Sequence, residues 1–216
     1  MKKNKDIKHI WNMIKIYSSY ALTPSELKSG SEKNPNFLKK YGDNHNIKII
    51  GNDNQGIIYN RHFGWSVPTE QAVNEIIIFV KNDIILEIGS GMGLWAHILQ
   101  LYGVVVYPTD DFSHGIHQWG YAFTNVEHLN NIDALKKYND VNVLMLIWPE
   151  IADTAYETLK IFKGSKLIFI GELQEYSANA SPEFYFLVKK EWEIYKRVEI
   201  PRFFAMYDYC FLLIRK

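Results

Sequence analysis

The densest chemistry in the sequence lies in Glu87-Ile88-Gly89-Ser90-Gly91-Met92-Gly93. The short apolar run Ile84-Ile85-Leu86 precedes it and Leu94 to Tyr102 follows, which predicts a tight turn between a strand and a helix. Glycine admits left-handed backbone and lets main-chain amides approach a ligand closely at the helix N-terminus. The spacing is Gly-x-Gly-x-Gly. A dinucleotide fingerprint, Gly-x-Gly-x-x-Gly, needs a glycine where Leu94 stands, so a standard NAD site is disfavoured. Glu87 sits two positions before the first glycine, where it can meet an amino group or a bound water. Asp110 stands 23 residues after Glu87, beyond the next predicted strand, where a carboxylate takes both hydroxyls of a ribose.

Charge sharpens this picture. The 216 residues carry 24 Lys+Arg and 24 Asp+Glu, a formal net charge of zero. That total hides a division: residues 1–60 hold ten Lys and five acids, and residues 61–216 carry a compensating net negative charge. No Lys or Arg occurs between Lys81 and Lys136, and only Arg61, Arg197, Arg202 and Arg215 are arginines, few for a surface built to fork phosphates. The glycine loop, its two acids and the missing cations together describe an adenosine ligand that is positively charged and lacks phosphate.

Other residues are candidates at lower specificity. Trp148-Pro149-Glu150 follows the predicted strand Val143–Ile147. Glu150 is placed to accept a proton or pair with a cationic substrate, or merely to stabilise the start of the next helix. Trp148 either walls the ligand or belongs to the core, and Glu172, after the next strand, has a claim similar to that of Glu150. Asp110, Asp111, His114 and His117 crowd one predicted loop, but the His-x-x-His spacing there lacks further ligands of a known metal pattern, so no metal is expected. His97 reads as a core histidine. Cys210, the lone cysteine, forms no intrachain disulfide and reads as a buried thiol in an apolar strand. Phe63 to Thr69 either folds over the cofactor or staples the entry of the following helix.

These residues need a scaffold, and the apolar pattern supplies one. Helices are expected over Thr69–Val80, Leu94–Tyr102, Asp153–Phe162 and from Ser181-Pro182. Strands are expected over Ile84–Ile88, Val104–Tyr107, Phe123–Val126, Val143–Ile147, Lys166–Ile170, Glu191–Ile200 and Tyr207–Arg215. Alternating apolar strands and helices mean a parallel sheet covered on both faces. The last two strands are joined only by Pro201 to Met206, too short for a parallel crossover, so the final strand must run antiparallel. The expected fold is α/β, a doubly wound, mostly parallel seven-stranded sheet with an antiparallel C-terminal strand. Residues 1–62 form an N-terminal extension, with an amphipathic helix through Ile7, Ile10, Trp11, Ile14 and Tyr17, a helix start at Thr23-Pro24 and a hairpin over 47–59. Residues 63–216 form the main domain.

The acid-x-Gly-x-Gly-x-Gly motif, the carboxylate after strand two and the reversed last strand resemble the class I S-adenosylmethionine-dependent methyltransferases. The resemblance covers roughly residues 65–216. It implies S-adenosyl-L-methionine as cofactor, held by Glu87, Gly89, Gly91, Gly93 and Asp110, with Asp133 at the adenine amino group and Trp148 as a wall. It places Glu150 as the candidate catalytic residue at the end of strand four. There, however, Trp148-Pro149-Glu150 departs from the (Asp/Asn/Ser)-Pro-Pro-aromatic motif of amino-group methyltransferases. The expected protein transfers a methyl group to an unidentified small molecule or exposed nitrogen or oxygen; the alternative is a binding module that keeps the fold without catalysis. Nucleic acid is not a favoured partner, because basic and aromatic residues are not interleaved in the basic extension. No apolar stretch matches a signal peptide or a membrane span, which predicts a cytoplasmic protein.

Overall fold

A computed structural model describes residues 2–18, 59, 63–114, 122–174, 177–202 and 206–216. The predicted helix start at Thr23, residues 47–58 of the expected hairpin and His117 lie outside the described residues, and Tyr59, expected in the second hairpin strand, is helical. The chain begins with helix α1 (Lys2–Tyr17), then α2 (Glu70–Val80), β1 (Ile85–Ile88), α3 (Leu94–Leu101), β2 (Val106–Asp110) and β3 (Glu127–His128). It continues through α4 (Asn131–Lys137), β4 (Val143–Ile147), α5 (Thr154–Ile161), β5 (Lys166–Gly171), α6 (Pro182–Glu191), β6 (Trp192–Glu199) and β7 (Tyr209–Arg215). The sheet order is β3-β2-β1-β4-β5-β7-β6. The first five strands run parallel, and β7 is antiparallel to both β5 and β6. The short connection after Ile200 thus acts as expected, with β7 inserted between its two neighbours.

Alternation along the central strands divides the core in two. Val143 and Met145 of β4 join α2, α3 and α1 on one face, while Leu144 and Leu146 join α4, α5 and α6 on the other. Each such fully buried side chain contributes about 1.5–3 kcal/mol of transfer free energy. Helix α2 starts where Thr69 Oγ1 accepts from the Ala72 amide at 3.0 Å, and buries Ala72, Val73, Ile76, Phe79 and Val80 at helical spacing. Helix α1 lays Ile10 and Ile14 into the same core, and its Trp11 Nε1 donates to Tyr102 Oη beyond the end of α3 at 3.1 Å.

Two strands are shifted from the sequence expectation and one helix is new. Strand β2 begins at Val106 rather than Val104, because the Val104 amide still bonds to Leu99 O at the end of α3 and the Val105 side chain is half exposed. At its other end β2 runs on through Asp110, which pairs with His128 of β3, so Asp110 is the last residue of the strand, not a residue beyond it. Strand β3 is Glu127–His128, just past the predicted Phe123–Val126, since the Phe123 amide is drawn back to Met92 O at 2.9 Å. Helix α4 was not expected; Asn130 caps it, its Oδ1 accepting from the Asp133 amide at 2.9 Å.

Candidate functional site

All five parallel strands end at one edge of the sheet, and the expected site residues gather along it. Gly89, Gly91 and Gly93 have φ of 71°, 54° and 71°. The loop is tied to the strand beside it: the Ser90 amide bonds to Thr109 O at 3.0 Å and Thr109 Oγ1 donates to Glu87 O at 2.9 Å. Asp110 completes the clamp. Its Oδ2 accepts from the Gly91 amide and its Oδ1 from the Phe112 amide, both at 2.8 Å, so the carboxylate lies against the loop. Open space lies where a Cβ on Gly89 would point, whereas one on Gly93 would meet Thr124 Cγ2 at 2.9 Å.

Glu87 lies beneath this loop with 1% of its surface exposed, and its Oε2 has no hydrogen-bond partner among the described residues. Burial pushes its carboxyl up to about 8, and the neighbouring Asp110 charge adds to the rise. A buried acid left partly unsatisfied is costly to the fold and points to a ligand group.

The segment before α2 is joined to the helix behind the loop. Trp95 Nε1, in the first turn of α3, donates to Ser66 Oγ at 2.8 Å, and Tyr59 Oη donates to Ser66 O at 3.3 Å. Trp65, 47% exposed, reaches across to stack on Trp148 at the end of β4, with ring centroids 5.6 Å apart and 24° between planes. Trp148 is one of few non-glycine residues with positive φ, 46°. Such a conformation costs of order 1–3 kcal/mol and persists where surrounding contacts impose it. Two are evident: the Trp148 amide donates to Ile170 O at 2.8 Å, and Trp148 Nε1 donates to Asp208 Oδ1 at 2.9 Å.

Asp208 had no signal in the sequence. It is 1% exposed and lies next to β7, one register step beyond the Gly171–Tyr209 pair, so it neighbours Glu172. Burial raises its carboxyl to about 7, helped by Glu172 and opposed by the Trp148 bond and Arg202. Glu172, also buried, accepts the Tyr207 amide on Oε1 at 2.8 Å.

Glu150 is exposed and stands three residues before Asp153, the N-cap of α5, so it does not cap that helix. It pairs instead with His114 Nε2, which joins the loop after β2 to the exit of β4. Asp133 is also exposed; its carboxylate accepts from Nδ2 of the N-cap Asn130 at 2.9 Å and from Lys136 Nζ in the last turn of α4 at 3.2 Å. His97 is partly buried against Phe123, and burial lowers its pKa. Cys210 is fully buried and its thiol is pushed up to about 12 by burial, then by Glu75. Among the described residues no group of three or more His, Cys, Asp or Glu could hold a metal ion, and no helix is long and apolar enough to cross a membrane.

The seven-stranded order with β7 reversed, and a glycine loop leaving β1 at its centre, define the class I methyltransferase fold. Solved structures of similar shape include magnesium protoporphyrin IX methyltransferase from Synechocystis PCC 6803 with bound S-adenosylhomocysteine: 12% identity over 83% of this chain and 92% of that one, TM-score 0.49. Ribosomal protein L11 methylase from Lactobacillus delbrueckii subsp. bulgaricus is 14% identical over 68% and 76%, TM-score 0.44. A SAM-dependent methyltransferase from Aquifex aeolicus is 16% identical over 66% and 89%, TM-score 0.39. No protein-family model and no curated protein matches the sequence.

Proposed function

We propose that the chain binds S-adenosyl-L-methionine at the glycine loop and transfers its methyl group to an acceptor at the exit of β4. The observation that carries this is Glu87, a buried acid with an oxygen that has no partner among the described residues, below an open glycine loop, in a stretch without Lys or Arg. Such a site suits a cation, which would draw the Glu87 proton off, and offers phosphate no cationic side chain. Gly89 leaves its side open; in this reading Asp110, fixed by the Gly91 and Phe112 amides, accepts from a ribose diol, and Glu87 pairs with an ammonium group. Asp133 is the weakest member of the proposed set, because its carboxylate already serves its own helix. When bound, the cofactor supplies an electrophilic methyl group for in-line displacement, so the chain's tasks are to align the acceptor and exclude water. The Trp65–Trp148 stack serves that wall, and Glu150 with His114 stands at the rim as the candidate proton acceptor.

Calorimetric titration of S-adenosyl-L-methionine tests the proposal. Saturable binding by the wild type, abolished in Gly91→Arg and weakened at least about tenfold in Asp110→Ala, is expected. No binding by the wild type ends the proposal, and undiminished binding by both variants ends the site assignment. A second reading, a non-catalytic module that keeps the cofactor site, is favoured by Trp148 standing where amino-group methyltransferases have a polar residue. Tight cofactor binding with no transfer of labelled methyl across a broad acceptor panel would establish it.

A further inference from the structure

At the exit of β4 the chain breaks the alternation of its strand. Leu144 and Leu146 face α4, α5 and α6, and a residue 148 that continued the strand would follow them. The left-handed backbone at Trp148 turns the indole to the other face, where Nε1 meets Asp208, two residues before Cys210. Cys210 and Leu212 share that face with α2 and α3. Trp65 stands there too, between Phe63 and Val67 of the same core, and the next residue, Ser66, is held by Trp95 in the first turn of α3. Leu146 pairs with Ile88, the residue before Gly89, so the Trp148 turn and the glycine loop leave adjoining strands. The two stacked indoles therefore stand beside the loop.

The pair is held unequally. Trp148 is fixed at both backbone and ring, by Ile170 O and Asp208 Oδ1. Trp65 is 47% exposed, and its indole nitrogen makes no hydrogen bond among the described residues. Gly64, just before it, has φ of 93° and no atom beyond its chain neighbours within 4 Å of where a Cβ would stand, which leaves the Trp65 ring room to move while Ser66 stays pinned. Carbon faces touch at about 3.5–4.0 Å, so a flat ring between two others needs about 7–8 Å, roughly 2 Å more than the 5.6 Å between these centroids. The Trp65 indole itself shows what the fixed Trp148 face accepts: a flat, uncharged ring.

We infer that the methyl acceptor presents a flat aromatic ring, taken between the Trp65 and Trp148 indoles beside the glycine loop. The inference rests on the methyltransferase reading and adds the acceptor's chemical class. A ring seated there is covered on both faces, which also keeps water from the acceptor.

The test uses 2-naphthol and its saturated counterpart, decahydro-2-naphthol, which keeps the hydroxyl and the carbon skeleton and loses the flat aromatic faces. Each is titrated into the full chain and followed by NMR, with and without S-adenosylhomocysteine. Saturable naphthol binding is expected, at least about tenfold tighter than that of the saturated alcohol. The indole N–H signals of Trp65 and Trp148 should shift, and that of Trp192, buried in the other core, should not. Naphthol affinity should fall about tenfold in Trp65→Ala and stay within about threefold in Trp65→Phe, which keeps an aromatic face. No naphthol binding, equal affinity for both probes, or unchanged affinity in Trp65→Ala overturns the ring site; Trp65 is half exposed, so its variants decide even where a Trp148 variant misfolds. Nuclear Overhauser contacts between naphthol and S-adenosylhomocysteine support the acceptor role, and their absence while both ligands bind overturns it. If S-adenosylhomocysteine fails to bind at all, the methyltransferase reading fails, and the two probes with the Trp65 variants alone judge the ring site.

Discussion

Between β1 and β2 the edge of the sheet is built from backbone: three left-handed glycines, amides that hold Asp110, and one buried acid below. Between β4 and β7 it is built from side chains of four distant segments: Trp65, Trp148, Glu172 and Asp208, with the Arg202 charge acting on Asp208. The first region is local in sequence and lies in a stretch without Lys or Arg, whereas the second is assembled by tertiary contacts and has Arg202 close by. A backbone loop suits a ligand common to many proteins of one fold, whereas an assembled wall is where chains of that fold can differ.

Each region keeps a buried acid that weakens the fold at high pH, and this gives the largest expected effect. Glu87 and Asp208 have folded-state values raised to about 8 and about 7. An acid raised on folding contributes stability that is complete below its unfolded value and is lost as pH rises through the folded one. Glu87→Gln should therefore unfold at a higher temperature than wild type at pH 9, with the difference shrinking toward pH 4.5. Asp208→Asn should behave likewise, with its gain complete by about pH 8. A cationic ligand restores the charged form of Glu87, so cofactor binding at pH 7.5 should release protons from the wild type and not from Glu87→Gln. Calorimetry in buffers of different ionisation enthalpy reads this directly; equal proton release by both proteins would show that Glu87 does not face the ligand.

Two glycines in the first region separate folding from binding. Gly89 and Gly93 share a φ of 71°, so alanine at either costs about 1–2 kcal/mol of left-handed strain. Only at Gly93 does the new methyl also meet Thr124 Cγ2 at 2.9 Å and Val126 Cγ2 at 3.0 Å. Gly93→Ala should thus be the less stable variant in urea, by roughly a further 1 kcal/mol or more. Gly89→Ala should keep most of its stability and lose most of its cofactor affinity, since its methyl enters open space. The reverse ranking would place the ligand away from Gly89.

The contrast between the two regions also accounts for what the sequence reveals. The glycine loop and its acid are contiguous, and Asp110 stands one strand away, so spacing alone finds them. The reversed β7 follows from a connection too short to cross the sheet. Asp208 is different: it meets Trp148 across sixty residues of chain, and nothing near it in sequence marks it. The left-handed turn at Trp148 is equally hidden, because it is imposed by Ile170 and Asp208 rather than by residue type. The cap of α4 had a visible signal, Asn130 followed three residues later by Asp133, and that signal also explains why Asp133 turns toward its own helix.

The smallest expected effect falls where the two regions touch. His114, from the loop after β2, pairs with Glu150 after β4, and more than half of each side chain is exposed. Exposed pairs contribute little, so Glu150→Gln should move the urea midpoint by no more than about 0.5 kcal/mol in free energy. If the regions work independently, cofactor affinity should change less than about threefold in the same variant. A larger fall in affinity at unchanged stability would mean that the pair closes the cleft over the ligand, and that the acceptor side governs access to the cofactor side. Unchanged affinity together with a loss of methyl transfer to any acceptor found would instead leave Glu150 as a group needed only in the chemical step.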